Sequence, residues 1–228
     1  MRVVLTREAG RNTEMTSWLP EGAEVVEVPL TETFYLDRTE VERRLDAVAT
    51  EVRWASLVIT SARASRYVDL ALARCASGVE VFSVGPKTTR ALTSSGATVR
   101  AQSVGGAVDL SRQIRRGPVA LVGAATMRPE LADDLRTRGF VVATIACYET
   151  RPVVPDAVGR AALAGADVVF IGAPSAWSGA KDLVPDAAWV VVPGASTART
   201  VRVDHARVLE GWGPSLRTRL QTPEDPTG

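Results

Sequence analysis

The sequence contains few of the side chains on which most catalytic and metal sites depend. Its 228 residues include one histidine and two cysteines. A single histidine leaves no basis for a Ser-His-Asp triad or a histidine metal site, and we expect that residue, His205, to lie on the surface because its surroundings are polar. Cys75 and Cys147 match neither metal-ligand spacing nor a disulfide framework. We therefore expect two buried thiols, no metal and no cofactor.

Signatures of nucleotide binding, secretion and membrane insertion are also missing. GxGxxG and GxxxxGK[ST] do not occur, and GGAVDL lacks the remaining glycine spacing. We expect no signal peptide, because the first residues, MRVVLTREAG, meet charge by Arg7, and no apolar stretch approaches the length of a membrane span. Basic and acidic residues nearly balance, 27 against 26, so no field that attracts nucleic acid or an anionic membrane is present. We expect a cytoplasmic monomer with neither as a partner.

What the sequence does contain is a series of short, continuous apolar runs rich in valine and isoleucine. Continuous runs are typical of parallel strands that are covered on both faces. The predicted strands are residues 2–6, 23–30, 56–61, 79–85, 119–123, 140–147, 167–172 and 188–194. Helical patterns lie between them: one apolar face consists of Val41, Leu45, Val48 and Val52. A second, RPELADDLRTRG, ends at Gly139. This alternation predicts an α/β fold.

The two halves of the chain are weakly similar to each other. The aligned pairs are residues 3–33 with 119–150, 56–65 with 167–176, and 84–89 with 193–198. In the first pair TET meets YET, so that Thr31 corresponds to Tyr148. The offset stays near about 110 residues, which indicates an internal duplication. A chain of this length with two such halves is predicted to form two domains.

Polar side chains follow the ends of several predicted strands, which is where ligands bind in open α/β sheets. ITSARAS contains Thr60, Ser61 and Arg63, SVGPKTT contains Thr88, and VPGASTA contains Thr197. Hydroxyl groups and backbone N–H groups at a helix start bind carboxylate or phosphate. The structural alternative is that these hydroxyls cap helices, because serine and threonine are also preferred at the N-cap.

Taken in order, these segments resemble the uroporphyrinogen-III synthase family, whose members close hydroxymethylbilane into the asymmetric tetrapyrrole uroporphyrinogen III. The motifs that carry the resemblance span about residues 3–200: VVLTR, EVVEVPL, LVITSARA, SVGPKTTRAL, LADDLRTRG and the YET strand end. Their order and spacing matter more than any one motif. The resemblance implies an α/β fold of two flavodoxin-like parallel-sheet domains that arose by internal duplication and are joined by a two-stranded β-ladder hinge.

The resemblance also implies where the chain passes from one domain to the other. Domain one would comprise residues 1–32 and 151–228, and domain two residues 35–147. The crossings would lie near residues 30–36 and 148–154, with the substrate in a cleft that the ladder opens or closes.

The implied reaction is that of a cyclising lyase. Ring A loses its hydroxyl to form an azafulvene, ring D attacks to form a spiro intermediate, and recombination inverts ring D. Tyr148 is implied to assist departure of the hydroxyl, since a neutral phenol can donate a hydrogen bond; the alternative is a strand-end tyrosine packed under the hinge. The implied substrate-binding residues are Arg7, Thr60, Ser61, Arg63, Thr88 and Thr197, with Ser175 compensating for hydroxyls absent at Ile171 and Gly172.

Two other functions remain open at this stage. Ile171 and Gly172 stand where the family usually has Thr-Ser, which motivates a non-catalytic relative that binds tetrapyrroles or regulates. A periplasmic-type ligand-binding protein is the second alternative, and the missing signal peptide argues against it. The family function adds one partner, transient contact with hydroxymethylbilane synthase.

Overall fold

The computed structural model describes residues 1–49, 53–103 and 107–221. The strands are β1 Arg2–Leu5, β2 Glu24–Glu27, β3 Thr31–Tyr35, β4 Trp54–Ile59, β5 Cys75–Ser83, β6 Val99–Gln102, β7 Val119–Ala124, β8 Val142–Pro152, β9 Val168–Phe170, β10 Trp189–Val192 and β11 Val208–Glu210. The α-helices are α1 Thr13–Thr16, α2 Arg38–Ala49, α3 Val68–Leu72, α4 Pro86–Ser94, α5 Ala107–Gln113, α6 Glu130–Thr137, α7 Ala157–Ala164, α8 Pro174–Ser178, α9 Ala195–Val201 and α10 Leu216–Gln221. A 3-10 helix spans Ala64–Tyr67.

All eight predicted apolar runs form strands. Three further strands, β3, β6 and β11, are at sheet edges and have no residue that is fully buried. An edge strand covered on one side needs no continuous apolar run, so the pattern that identifies the central strands does not detect it.

The chain divides into two compact units, and the first is discontinuous. Unit 1 consists of Met1–Thr33 and Arg151–Gly228, and unit 2 of Phe34–Thr150. The sheet of unit 1 has the order β2-β1-β9-β10-β11, and all its pairings are parallel. Numbered along the unit, this order is 2-1-3-4-5, the flavodoxin-like arrangement.

The sheet of unit 2 has the same spatial order of strands, but the chain enters it at a different strand. Its order is β8-β7-β4-β5-β6, with parallel pairing throughout and β3 beside β8 at the edge. The sequence repeat equates β7, β8, β4 and β5 with β1, β2, β9 and β10, and β6 and β11 then lie at matching edges. Equivalent strands therefore hold equivalent positions in the two sheets, as a duplication predicts.

Each sheet is covered on both faces, which explains why its strands are continuously apolar. In β4, Leu57 and Ile59 join one buried cluster and Val58 joins another on the opposite face. In β1, Val4 and Val3 divide in the same way. The four clusters each remain within one unit, so each unit has its own core.

The chain passes between units along β3 and β8. In unit 2 the Leu36 N–H donates to the Cys147 carbonyl at 3.1 Å, and in unit 1 the Val153 N–H donates to the Leu30 carbonyl at 2.9 Å. As the residue numbers rise along one segment, those of its hydrogen-bond partners fall along the other. The two segments therefore pair in the antiparallel sense. The hinge role of this ladder stays a prediction.

The predicted helices form, and their apolar faces are buried. Val41 and Leu45 of α2 are fully buried, whereas Val52 lies outside the described residues. Helix α6 buries Leu131, and the chain turns after it at Gly139, whose φ of 84° is the left-handed conformation that glycine adopts freely. Within the described ranges, no helix is long and apolar enough to cross a bilayer.

The prediction that His205 lies on the surface is wrong. Its side chain is 5% exposed, and Nε2 is 2.8 Å from the Ala188 carbonyl oxygen. The imidazole also packs edge-on against Trp177, with 5.7 Å between ring centroids. Polar neighbours in sequence suggested exposure, but the turn after α9 folds His205 back onto the core of unit 1.

Candidate functional site

The only tyrosine among the predicted site residues, Tyr148, is paired with a serine from another strand end of unit 2. The Tyr148 hydroxyl donates to Ser61 Oγ at 2.9 Å. Tyr148 lies opposite Ala124, the last residue of β7, and Ser61 follows the end of β4. Because β8, β7 and β4 are parallel neighbours, their carboxyl ends meet at one edge of the sheet. The structure thus brings together two residues that are 87 positions apart.

A glycine between these strand ends provides the room for Thr60, the residue before Ser61. A Cβ on Gly123, in β7, would lie 1.8 Å from Thr60 Oγ1 and 2.9 Å from Met127 Sδ. Thr60 itself is held by the neighbouring strand, since its Oγ1 donates to the Val122 carbonyl at 3.2 Å. Close approach of a neighbouring side chain, and not an unusual backbone angle, is what requires glycine at 123.

Cationic and aromatic groups surround the Tyr148 ring. The Arg63 guanidinium carbon is 5.9 Å from the ring centroid, within cation–π range. The Tyr35 ring is 6.1 Å away, and Arg66 lies 4.1 Å above that second ring. Since Tyr148 is 6% exposed, these contacts fix its orientation. Its hydroxyl and that of Ser61 form a pair in which either group can rotate to donate to a substrate oxygen.

A cavity of about 800 Å³ opens beside this pair, within unit 2. Its polar lining includes Thr60 and Tyr148, its apolar lining includes Met127 and Leu131, and Arg128 contributes a guanidinium from the loop after β7. A volume of this size accommodates a multi-ring organic ligand with charged substituents. Sequence reasoning missed Met127 and Arg128, although the rule used for the other strand ends applies equally to the end of β7.

Thr88 and Thr197 occupy the same place in their two units. Each is the third residue of a helix, α4 or α9, that begins after a glycine N-cap, and each is 5% exposed. The N-cap residues are Gly85 and Gly194, which make no side-chain cap bond. These two threonines therefore do not cap their helices. Ser61 Oγ accepts the Ala64 N–H at 3.3 Å in the turn that leads into the 3-10 helix, in addition to its tyrosine contact, although the N-cap of that helix is Arg63.

In unit 1, Arg7 lies against a tryptophan that sequence reasoning missed. Its guanidinium carbon is 5.6 Å from the centroid of the Trp212 ring, and its Nη1 is 3.9 Å from Met15 Sδ. Gly172 is close to both Arg7 and Trp212. Ser175, in α8, is exposed, and its hydroxyl makes no hydrogen bond to the described residues.

The two cysteine thiols are protonated at neutral pH. Burial raises the pKa of Cys147 to about 12 and that of Cys75 to about 11. Neither cysteine therefore serves as a nucleophile at neutral pH. Among the residues that the structure describes, no group of three or more His, Cys, Asp or Glu side chains is arranged to hold a metal ion.

Comparison with known proteins shows the family to which this two-unit α/β chain belongs. The sequence profile described as uroporphyrinogen-III synthase HemD matches residues 20–209, most of the chain.

The chain belongs to the uroporphyrinogen-III synthase family.

Solved structures of that family have the same fold. A mutant uroporphyrinogen III synthase from the extremely thermophilic bacterium Thermus thermophilus matches with a TM-score of 0.66 and 19% identity, over 97% of this chain and 96% of that one. The uroporphyrinogen-III synthetase of Helicobacter pylori matches with a TM-score of 0.62 and 15% identity, over 97% of each chain. A comparison with curated protein sequences gives no match.

The two units of this uroporphyrinogen-III synthase family member differ at one pair of equivalent strand ends. Unit 2 has Thr60 and Ser61 after β4, whereas the equivalent positions after β9 in unit 1 are Ile171 and Gly172. Ile171 is fully buried in the core and exposes no surface to a ligand. At this pair of strand ends the hydroxyls are therefore present in unit 2 alone, where Ser61 contacts Tyr148.

Proposed function

We propose that the protein is a uroporphyrinogen-III synthase, a lyase that cyclises hydroxymethylbilane to uroporphyrinogen III with loss of water and inversion of ring D. Family membership over residues 20–209 supports the reaction. The observation that carries the proposal at the chemical level is the bond between the Tyr148 hydroxyl and Ser61 Oγ at the carboxyl edge of the unit 2 sheet.

The hydroxyl pair has the properties that the first step needs. The pyrrole nitrogen of ring A expels the hydroxyl, so a strong acid is not required and a neutral hydrogen-bond donor suffices. Tyr148 donates to the departing oxygen when Ser61 rotates to become the donor to the phenol oxygen. Arg63, against the Tyr148 ring, keeps that ring in place and adds positive charge near the oxygen that accepts the bond.

Folding the linear substrate is the larger task, because hydroxymethylbilane closes unaided to the symmetric isomer. The rate of the correct closure depends on holding its ends in one geometry. We propose that the cavity beside Tyr148 takes one substituted pyrrole, with Leu131 and Met127 against the ring and Arg128 on a carboxylate. Thr60 and Thr88 in unit 2, and Arg7, Thr197 and Ser175 in unit 1, remain predicted substrate contacts.

The deciding experiment is a product analysis. The protein is supplied with freshly generated hydroxymethylbilane, the products are oxidised, and the ratio of type III to type I isomer is measured against a reaction without protein. We expect predominantly type III, formed faster than the spontaneous reaction. Type I alone at the spontaneous rate would refute the synthase and favour a non-catalytic tetrapyrrole-binding relative, the alternative that Gly172 motivates.

The same chemistry suggests the setting of the reaction. Because the substrate cyclises spontaneously, direct transfer from hydroxymethylbilane synthase favours the correct product, and we propose transient contact with that enzyme. We also propose a cytoplasmic location, where the two unpaired cysteines stay reduced.

A further inference from the structure

Trp212 lies in a Gly-Trp-Gly loop between β11 and α10. The φ angles of Gly211 and Gly213 are 95° and 156°, a region that other residues enter only with strain. The loop follows the carboxyl end of β11, the edge strand of the unit 1 sheet. It thereby brings the indole to the same edge at which β1 and β9 end.

At that edge the indole contacts residues from both of these strands or their ends. Its ring centroid is 5.6 Å from the Arg7 guanidinium carbon and 6.3 Å from the Phe170 ring centroid. A Cβ placed on Gly172 would lie 3.5 Å from Trp212 Cη2 and 3.6 Å from Arg7 Cγ. A methyl group just fits there, whereas a branched side chain displaces either the indole or the arginine.

The indole nitrogen indicates that stability alone does not account for a tryptophan at position 212. Nε1 is buried and has no hydrogen-bond partner among the described residues, a situation that is unfavourable for a polar group. A phenylalanine presents an apolar ring without an unsatisfied donor. The indole has the stronger π face toward a cation, and the cation beside it is Arg7.

We propose that Trp212 is a positioning residue that stacks on Arg7 and holds its guanidinium toward a substrate carboxylate, with Gly172 leaving the space for both side chains. Met15 supports Arg7 from another direction, with Sδ 3.9 Å from Nη1. This inference rests on the proposed function, because it takes Arg7 as a contact of hydroxymethylbilane. Trp212 acts through Arg7 and makes no step of the reaction itself.

The test compares KM and kcat for hydroxymethylbilane in three variants. Trp212→Leu removes the π face, and we expect KM to rise on the order of three- to tenfold with kcat within about twofold, because a carboxylate contact remote from the reacting atoms stabilises ground and transition state alike. Trp212→Phe keeps a ring and should return KM to within about twofold of the original. Trp18→Leu, in a second partly buried tryptophan of the same apolar cluster, is the matched control and should leave both constants unchanged.

Two results would overturn the inference: a Trp212→Leu enzyme with unchanged KM, or a Trp212→Phe enzyme as impaired as Trp212→Leu. The pairing is also measured without turnover, by a double-mutant cycle of Arg7→Met and Trp212→Leu on the free energy of unfolding. If the two substitutions change the free energy of unfolding non-additively, the contact between Arg7 and Trp212 is supported. Additive changes exclude it. If the original protein forms only type I product, the proposed function fails, and the cycle alone then decides whether Trp212 holds Arg7.

Discussion

At the residue scale, two hydroxyl groups and one glycine define the carboxyl edge of the unit 2 sheet. Tyr148 and Ser61 form the hydrogen bond, and Gly123 leaves the space in which Thr60 lies. Each of the three can be altered by removing or adding a single atom group, which makes their separate contributions measurable.

Removing the phenol oxygen tests whether Tyr148 takes part in the reaction. We expect Tyr148→Phe to reduce the rate of type III formation by about tenfold or more, because the donor to the departing hydroxyl is lost. Tyr67→Phe is the matched control: its hydroxyl donates to the Leu36 carbonyl in the same unit, so the variant loses a comparable bond without touching the pair. Steady-state rates and isomer ratios measure both. An unchanged rate in a folded Tyr148→Phe protein would leave Tyr148 a packing residue.

Adding one methyl group tests the close approach at Gly123. Gly123→Ala places a Cβ 1.8 Å from Thr60 Oγ1, so Thr60 or a strand must shift. We expect a loss of about 1–3 kcal/mol in the free energy of unfolding by urea titration. Gly179→Ala, whose Cβ would meet only the Ala176 carbonyl oxygen at 3.7 Å, should change it by less than about 0.5 kcal/mol. Equal effects of the two substitutions would contradict the steric argument.

The thiols give a prediction about reactivity. Because burial raises the pKa of Cys75 to about 11 and that of Cys147 to about 12, the thiolate fraction at pH 8 is on the order of one in a thousand or less. We expect neither thiol to react with Ellman's reagent in the folded protein and both to react after denaturation. A thiol that titrates rapidly under native conditions would show that the strand containing it opens.

At the element scale, ion pairs connect α2 to its surroundings in unit 2. Arg74 lies 2.8 Å from Glu42 and 2.8 Å from Asp46, which are both on α2, and Arg38 of that helix pairs with Asp69 of α3. Within α2, hydrogen bonds from Arg43 and then Arg44 lower the pKa of Glu40 from 4.5 to about 2. Each of these pairs has at least one exposed partner, so their effect is modest and is screened by salt.

The lowered carboxyl pKa values predict acid sensitivity. A carboxyl whose pKa is lower in the folded protein stabilises the fold above its unfolded value, and this stabilisation is lost as the pH falls through the folded value. For Glu40 that window runs from about 4.5 down to about 2, and the pKa values of Asp46 and Asp69 are lowered in the same direction by Arg74 and Arg38. Thermal unfolding at a series of pH values should show the midpoint falling there.

The matched variant for this window is Glu40→Gln. It removes the titrating group while keeping the shape of the side chain, so the midpoint should depend less steeply on pH between 4.5 and 2. Added salt should reduce the difference between the two proteins. Parallel pH profiles would mean that the Glu40 pairs contribute nothing measurable.

At the scale of the whole molecule, the two units have separate cores although unit 1 is interrupted by unit 2. No buried cluster of the described residues contains side chains from both units. Residues 34–150 supply all five strands of the parallel sheet in unit 2 except the last two residues of β8. We therefore propose that this segment is an autonomous folding unit.

Expression of residues 34–150 alone tests that proposal. We expect a folded α/β protein with cooperative urea unfolding, measured by circular dichroism. A fragment of the same length, residues 1–117, is the matched control: it ends before β7, which lies at the centre of the unit 2 sheet between β4 and β8, and it should not unfold cooperatively. If both fragments behave alike, the separation of cores does not correspond to independent folding.

A feature of the fold or the site could be predicted from the sequence when neighbouring residues alone indicate it. The central strands and helix α6, which ends before Gly139, were predictable because burial on both sheet faces, or on one helix face, leaves a pattern within a few residues. His205 was mispredicted because its burial depends on the path of the chain after α9. Arg128 was predictable in principle from its place after a strand, whereas Trp212 had only its two flanking glycines as a signal.

The sequence by itself determined the fold class, the duplication and the family, because hydrophobic periodicity and motif order are properties of neighbouring residues. Only the tertiary structure decided which side chains meet. The phenol of Tyr148 reaches Ser61, and Arg7 reaches Trp212, because the parallel strand order of each sheet brings carboxyl ends together that are far apart in the chain. The number of residues between two side chains does not predict whether they meet. Their contact arises only when the strands are assembled into a sheet.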